Sequence, residues 1–179
     1  LEFASRGCKD ITLLELNSIN YSFIKKVIAE LGIDCINALK TDTFKFIERT
    51  GAKYDMIFAD PPYFLSGDGI TCSAGKMVSV KKGAWDEKIS LKEKHNFNKK
   101  WIRACKHVLK PNGTLWISGT MHNIYSIGMA LEEEGFKIIN NITLRSKTLN
   151  HRLYGHNTIT IVINTSTALN SGIRENINV

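Results

Sequence analysis

Residues 54–64 read YDMIFADPPYF: a short apolar run, an acid, two prolines and two aromatics in succession. The run YDMIFA has the length and composition of a buried strand. Proline lacks the backbone N–H and fixes φ near −65°, so two in a row continue neither strand nor helix. The chain must leave the sheet here as a stiff loop. Asp60, Pro61, Pro62 and Tyr63 therefore sit on a rigid lip at the C-terminal end of a strand, the place where open α/β sheets bind ligands.

Working outward, strand and helix signals alternate. ITLLEL (11–16) is a strand; Ser18 caps a helix to about Leu31 with Phe23, Ile24, Val27, Ile28 and Leu31 at helical spacing, and Gly32 stops it. CINAL (35–39) is a second strand, and 42–50 a short helix leading to the strand at 54–59. Residues 64–90 read as a long glycine-punctuated loop, which in a compact domain is usually functional. A helix over 91–109 lines up Phe97, Trp101, Ile102, Cys105 and Leu109. Pro111, Asn112 and Gly113 turn the chain into a strand at 114–118; a helix over 122–134 ends at Gly135, and 136–144 and 159–163 are closing strands. This alternation predicts an α/β fold with a Rossmann-like, doubly wound, mostly parallel sheet. A single domain is expected over 1–164, with a loose polar tail at 165–179. The opening LEFASRG reads as the end of a helix closed by Gly7, with a segment expected upstream.

Composition narrows the class. At 43% hydrophobic and 23% charged residues the chain is an ordinary globular protein, and its apolar runs are too short to cross a membrane. Cys8, Cys35, Cys72 and Cys105 show no CxxC pairing, so thiols without a role in a reducing cytosol are expected rather than a metal site. The net charge of +7 is unevenly spread: residues 1–63 hold 8 Lys/Arg against 9 Asp/Glu, and residues 64–179 hold 16 against 8. A basic second half suggests a polyanionic partner gripped there. Lys76, Lys81 and Lys82, with Trp85 close behind, mix cations and an aromatic in the manner of phosphate contacts and base stacking, though an ordinary solvated loop has the same composition.

Three acids fall at strand C-termini: Glu15, Asp42 and Asp60. An acid in Glu15's position suits hydrogen bonds from ribose hydroxyls. Asp42 has two readings, a helix N-cap and a ligand contact. Asp60-Pro61-Pro62-Tyr63 resembles motif IV of the amino-methyltransferases, which move a methyl group from S-adenosylmethionine to the exocyclic amine of a base. The residue types suit that chemistry. A ring-conjugated amine is a poor nucleophile; acceptors for both its protons, the Asp60 carboxylate and the Pro61 carbonyl, would turn its lone pair toward the methyl sulfonium. The prolines hold those acceptors still, and Tyr63 would stack on the extruded base.

The two flanks of the motif resemble different families. LEFASRG, LLELN, KTDTFKF and FADPPY, within 1–63, look like the bacterial 16S ribosomal RNA guanine-N2 methyltransferases. IFADPPYFLSGDGI, KMVSVKKGAWDE and the stretch from HNFNKKW to NNIT, spanning 57–143, resemble adenine-specific DNA methyltransferases of restriction-modification systems, particularly the GATC-directed and GANTC-directed groups. Beyond NNIT the second pattern lapses: in 144–164, LRSKTLNHRLYGHNTITIVIN, only Lys147 and 156–158 look like remnants. A seam between the two families is expected near 57–63, where their sequences coincide.

The resemblances imply a class I S-adenosylmethionine-dependent methyltransferase lacking its first strand and glycine-rich loop. They imply transfer to N6 of adenine in DNA, with a ribosomal RNA guanine-N2 methyltransferase or an inactive nucleic-acid-binding fragment as alternatives. Asp60, Pro61, Pro62 and Tyr63 would be the catalytic lip; Glu15, Asp42 and Asp60 would hold S-adenosylmethionine; Lys76, Lys81, Lys82 and Trp85 would meet nucleic acid. A cytoplasmic enzyme without metal or membrane is implied.

Overall fold

The computed structural model describes residues 1–64, 70–73, 76–79, 89–120, 123–145 and 158–163, with backbone only at 70–73, 76–79, 143–145 and 158–163. The chain divides into two compact units, Leu1–Gly51 and Ala52–Val179.

The first unit begins with α1 (Glu2–Ser5), whose end is closed by Gly7 at φ +88° with the Cys8 amide bonded back to the Phe3 carbonyl at 3.0 Å. Strands β1 (Ile11–Glu15) and β2 (Ile36–Lys40) pair in parallel, Ile11 opposite Ile36 and Glu15 opposite Lys40. Helix α2 (Ser18–Glu30) connects them, packing Ile28 against Ile36 and Ala38. Its cap is Asn17 rather than Ser18: the Asn17 side chain accepts from the amides of Ile19 and Asn20, so the helix starts one residue earlier than the serine suggested. Helix α3 (Thr43–Arg49) starts on Asp42.

In the second unit β3 (Tyr54–Ala59) pairs in parallel with β6 (Leu109–Thr120), and β8 (Thr158–Ile163) and β7 (Asn140–Arg145) add on antiparallel, in the order β3-β6-β8-β7. The turn expected at Pro111-Asn112-Gly113 lies inside β6 as a bulge. Tyr54 faces Leu109 and Met56 faces Thr114, so β6 holds extra residues at this point, with Asn112 at φ +63° absorbing the bend. Part of the long loop is a hairpin of β4 (Ile70–Ser73) and β5 (Lys76–Ser79).

Helix α4 (Leu91–Val108) opens on a capping box in which Ser90 and Glu93 satisfy each other's amides. With α5 (Ile124–Glu133) it covers the core, where Ile102, Leu115, Ile117, Ile127 and Leu131 are almost fully buried. Side chains of this size each stabilise the unit by about 1.5–3 kcal/mol on burial. In β6, Leu115 and Ile117 alternate with Trp116 and Ser118, as a strand's period of two requires. The register ends with Ala59 beside Ile117, which brings the next residues, Asp60 and Ser118, side by side.

Candidate active site

The lip that follows β3 is held through Asp60, Pro62 and Phe64. Asp60 is exposed, and its Oδ1 accepts two hydrogen bonds: one from the Tyr63 phenol at 2.7 Å and a short one from the Ser118 hydroxyl. The Pro62 carbonyl accepts from Asn123 Nδ2 at 3.4 Å. Phe64, buried at the end of the lip, meets the Phe97 ring edge-on with centroids 5.4 Å apart, and Lys94 Nζ lies 5.8 Å from the Phe64 centroid. Phe64 also adopts φ +54°, a conformation a bulky side chain rarely takes and which costs about 1–3 kcal/mol. The aromatic and cation contacts from α4 hold it there.

Apart from Tyr63, these anchors come from distant parts of the second unit. Ser118 is buried in β6, between β3 and β8. Asn123 precedes α5 and is 1% exposed; its Oδ1 accepts from the Thr120 amide at 2.9 Å instead of capping the helix. Thr120 Oγ1, at the end of β6, is buried with no partner among the described residues, leaving a hydroxyl for a water or a ligand. The aromatic and amide pair on α4 is satisfied internally: Trp101 Nε1 donates to Asn98 Oδ1 at 3.0 Å.

The arrangement leaves acceptors open. Among the described residues nothing donates to Asp60 Oδ2 or to the Pro61 carbonyl. A carboxylate oxygen and a neighbouring carbonyl, held on a proline-stiffened lip, can accept hydrogen bonds from both N–H groups of a primary amine. Tyr63 is half-buried, its ring carried on the same lip.

In the first unit Glu15 ends β1, half-buried, with Oε1 accepting from the Asn17 amide at 2.7 Å. That bond fixes the carboxylate and leaves its second oxygen for a donor from outside, which suits a ribose hydroxyl. Asp42 follows β2 and does cap α3, accepting from the Lys45 amide at 3.0 Å, again with one oxygen to spare. Both readings of Asp42 are thus compatible with its geometry.

Of the residues assigned to nucleic acid, Lys76 opens β5; Lys81, Lys82 and Trp85 lie outside the described residues, as does the tail. No group of three metal-ligating side chains occurs among the described residues, and no described helix is long and apolar enough to cross a membrane. Sequence reasoning missed Ser118 as part of the site. The signal was available only through register, since the residue beside the first position after a strand depends on how the neighbouring strand is paired.

A DNA methylase family profile matches residues 54–168, and a second, described as conserved hypothetical protein 95, matches 1–81. The two overlap across the Asp-Pro-Pro-Tyr motif, in keeping with the double resemblance. Type II methyltransferase M2.DpnII of Streptococcus pneumoniae is 59% identical over 127 residues, 68% of this chain and 47% of that protein. Type II methyltransferase M2.LlaDCHI of Lactococcus lactis is 56% identical over 126 residues, again covering 68% and 47%. The chain thus spans about half the length of these curated relatives. In fold it is similar to NSun6 from Pyrococcus horikoshii, with TM-score 0.61 and 17% identity over 89% of this chain and 42% of that one. The fold is that of the class I methyltransferases.

Proposed function

The chain belongs to the DNA methylase family through residues 54–168, and from this premise we propose that it transfers a methyl group from S-adenosylmethionine to the N6 amine of adenine in DNA. The observation that carries the reading is the Asp60 carboxylate on its proline lip, fixed through Oδ1 with Oδ2 open. S-adenosylmethionine, when bound, supplies an electrophilic methyl on sulfonium. The chain's part is to position. Asp60 Oδ2 and the Pro61 carbonyl accept hydrogen bonds from the two N–H groups of the amine and draw the nitrogen toward tetrahedral geometry. Tyr63 stacks on the base, and Pro61 and Pro62 remove the freedom that would blur the alignment. Glu15 accepts from the cofactor ribose, and Asp42 from its adenine. Lys76, Lys81, Lys82 and Trp85 contribute to the nucleic-acid surface, which the positive charge of residues 64–179 supports. The enzyme works in the cytosol, as a single methyltransferase domain over 1–164 that joins two families near 57–63.

One observation favours a second substrate: residues 1–81 match the other family, over the stretch whose residues 1–63 resemble ribosomal RNA guanine-N2 methyltransferases. The test is equilibrium binding of labelled S-adenosylmethionine to the 179-residue chain with Glu15→Ala as control, followed by transfer to DNA and to ribosomal RNA. Saturable binding weakened by Glu15→Ala, with label in DNA adenine and transfer abolished in a folded Asp60→Ala variant, is the expected result. Label in ribosomal RNA alone would move the reading to the second substrate. Salt-dependent DNA binding without cofactor affinity would make the chain a binding module instead.

A further inference from the structure

We propose that Ser118 is the positioning residue for Asp60, its buried hydroxyl fixing the carboxylate through Oδ1 so that Oδ2 faces the amine of the base. This deepens the function proposed above and rests on it. A terminal carboxylate torsion is broad, with two equivalent oxygens and no steep preference. Asp60 is exposed and leaves the end of its strand, so the backbone alone does not select a plane for the carboxylate. Two hydroxyls do: the Tyr63 phenol at 2.7 Å and the Ser118 hydroxyl, both on Oδ1.

The two donors differ in where they come from. Tyr63 lies three residues on in the same loop as Asp60, so its bond is made within the lip. Ser118 sits in β6, paired in parallel with β3 on one side and antiparallel with β8 on the other, opposite Ile161, and is 8% exposed. It is therefore the fixed reference against which Asp60 is aligned. Its single proton has two acceptors in range, the Asp60 carboxylate and the Ala59 carbonyl at 3.4 Å. The ionised, nearer acceptor takes it, since charge-assisted bonds are shorter and about twice as strong as neutral ones. Alanine here would leave the lip in place but free the carboxylate to turn.

The test uses single-stranded oligonucleotides of thymine carrying one adenine, or one purine base that lacks the 6-amine, bound at equilibrium to the whole chain. The parent should favour the adenine strand by about tenfold, the worth of a hydrogen bond to a charged acceptor. Ser118→Ala should bring that preference to within about twofold while leaving affinity for the purine strand unchanged, and Ser118→Thr, which keeps the hydroxyl, should restore it. A merely structural serine would shift both affinities together. Should Ser118→Ala fail to fold, Ser118→Cys, similar in size but a weak donor, carries the same expectation. A parent that discriminates alongside folded Ser118→Ala or Ser118→Cys that discriminates equally would overturn the role of Ser118 and leave Asp60 as the amine acceptor. A parent that does not discriminate would overturn the Asp60 assignment, and this inference with it.

Discussion

Asn123 ties the lip to the strand beside it: its Nδ2 donates to the Pro62 carbonyl at 3.4 Å, while its Oδ1 accepts the Thr120 amide at 2.9 Å. One buried side chain thus serves the end of β6 and the prolines together. Asn123→Ala leaves the Thr120 amide without its acceptor in a half-buried site, which costs about 1 kcal/mol. We expect the urea midpoint to fall accordingly. Asn123→Asp keeps the acceptor but loses the donor to Pro62, so it should recover part of that loss in stability. Equal stability of parent and Asn123→Ala would show that water replaces both bonds.

The bulge in β6 makes its own demand on sequence. A Cβ on Gly113 would lie 2.9 Å from the Lys110 carbonyl oxygen and 3.1 Å from both the Leu109 side chain and the Tyr54 carbonyl oxygen. Two of these are backbone and cannot swing aside. Gly113→Ala should destabilise the second unit by about 1–3 kcal/mol, as overpacking does. Asn112, at φ +63°, occupies a region that glycine enters freely and asparagine tolerates. Asn112→Gly should therefore stay within about 0.5 kcal/mol of the parent. Denaturant unfolding of the two variants side by side checks the pair, and a tolerated Gly113→Ala would mean that the bulge reshapes.

What was legible in the sequence was local. The strand 54–59 and the break after it follow from an apolar run meeting two prolines, and both are where the residues put them. Helix α4 is likewise written in its apolar spacing, with Phe97, Trp101, Ile102 and Cys105 on one face. Reading Ser18 as the cap failed because serine and asparagine are both good caps and adjacent, and only the turn geometry chooses. Reading Pro111 to Gly113 as a turn between elements failed because a bulge uses the same residues without ending the strand. Ser118 lies 58 residues from Asp60, and no local pattern connects them. The site's first layer is thus a motif, while its support is a matter of register.

Helices α4 and α5 are joined by an ion-pair seam, and it carries a pH signature. Lys99 and His95 reach Glu133 at 2.6 and 3.0 Å, and Arg103 grips Glu134 through both oxygens at 2.7 and 3.0 Å. Hydrogen bonds from Lys99 and His95 hold the Glu133 carboxyl below the usual glutamate range, and the Arg103 guanidinium does the same for Glu134. A depressed folded value means that the stabilisation is complete above the unfolded glutamate range, near pH 4.3, and is lost as pH falls through the folded value. The stability gap between parent and Glu134→Gln should be constant from about pH 7 to 5 and should shrink toward about pH 3. Urea midpoints across that range check it. A gap that persists unchanged at the acid end would mean that the glutamate contributes through packing and not through charge.

Cys105 gives a probe of the core that covers the site. It lies on the buried face of α4, and burial pushes its thiol up to about 12. At about pH 8 the thiolate, the reactive form, is then roughly one part in ten thousand, and the packing of α4 blocks reagent as well. Cys8 is exposed. A thiol reagent added to the native chain should therefore modify Cys8 at the rate of a free cysteine, while Cys105 should react only as fast as α4 opens. Mass mapping of the labelled sites over time separates the two. In folded Asn123→Ala, loosening of the lip alone should leave Cys105 protected, whereas loss of the α4–α5 core should expose it. Native-state labelling of Cys105 at the rate of Cys8 would mean that α4 does not stay packed in solution, and that the support for Phe64 at the end of the lip, which also comes from α4, is not maintained there either.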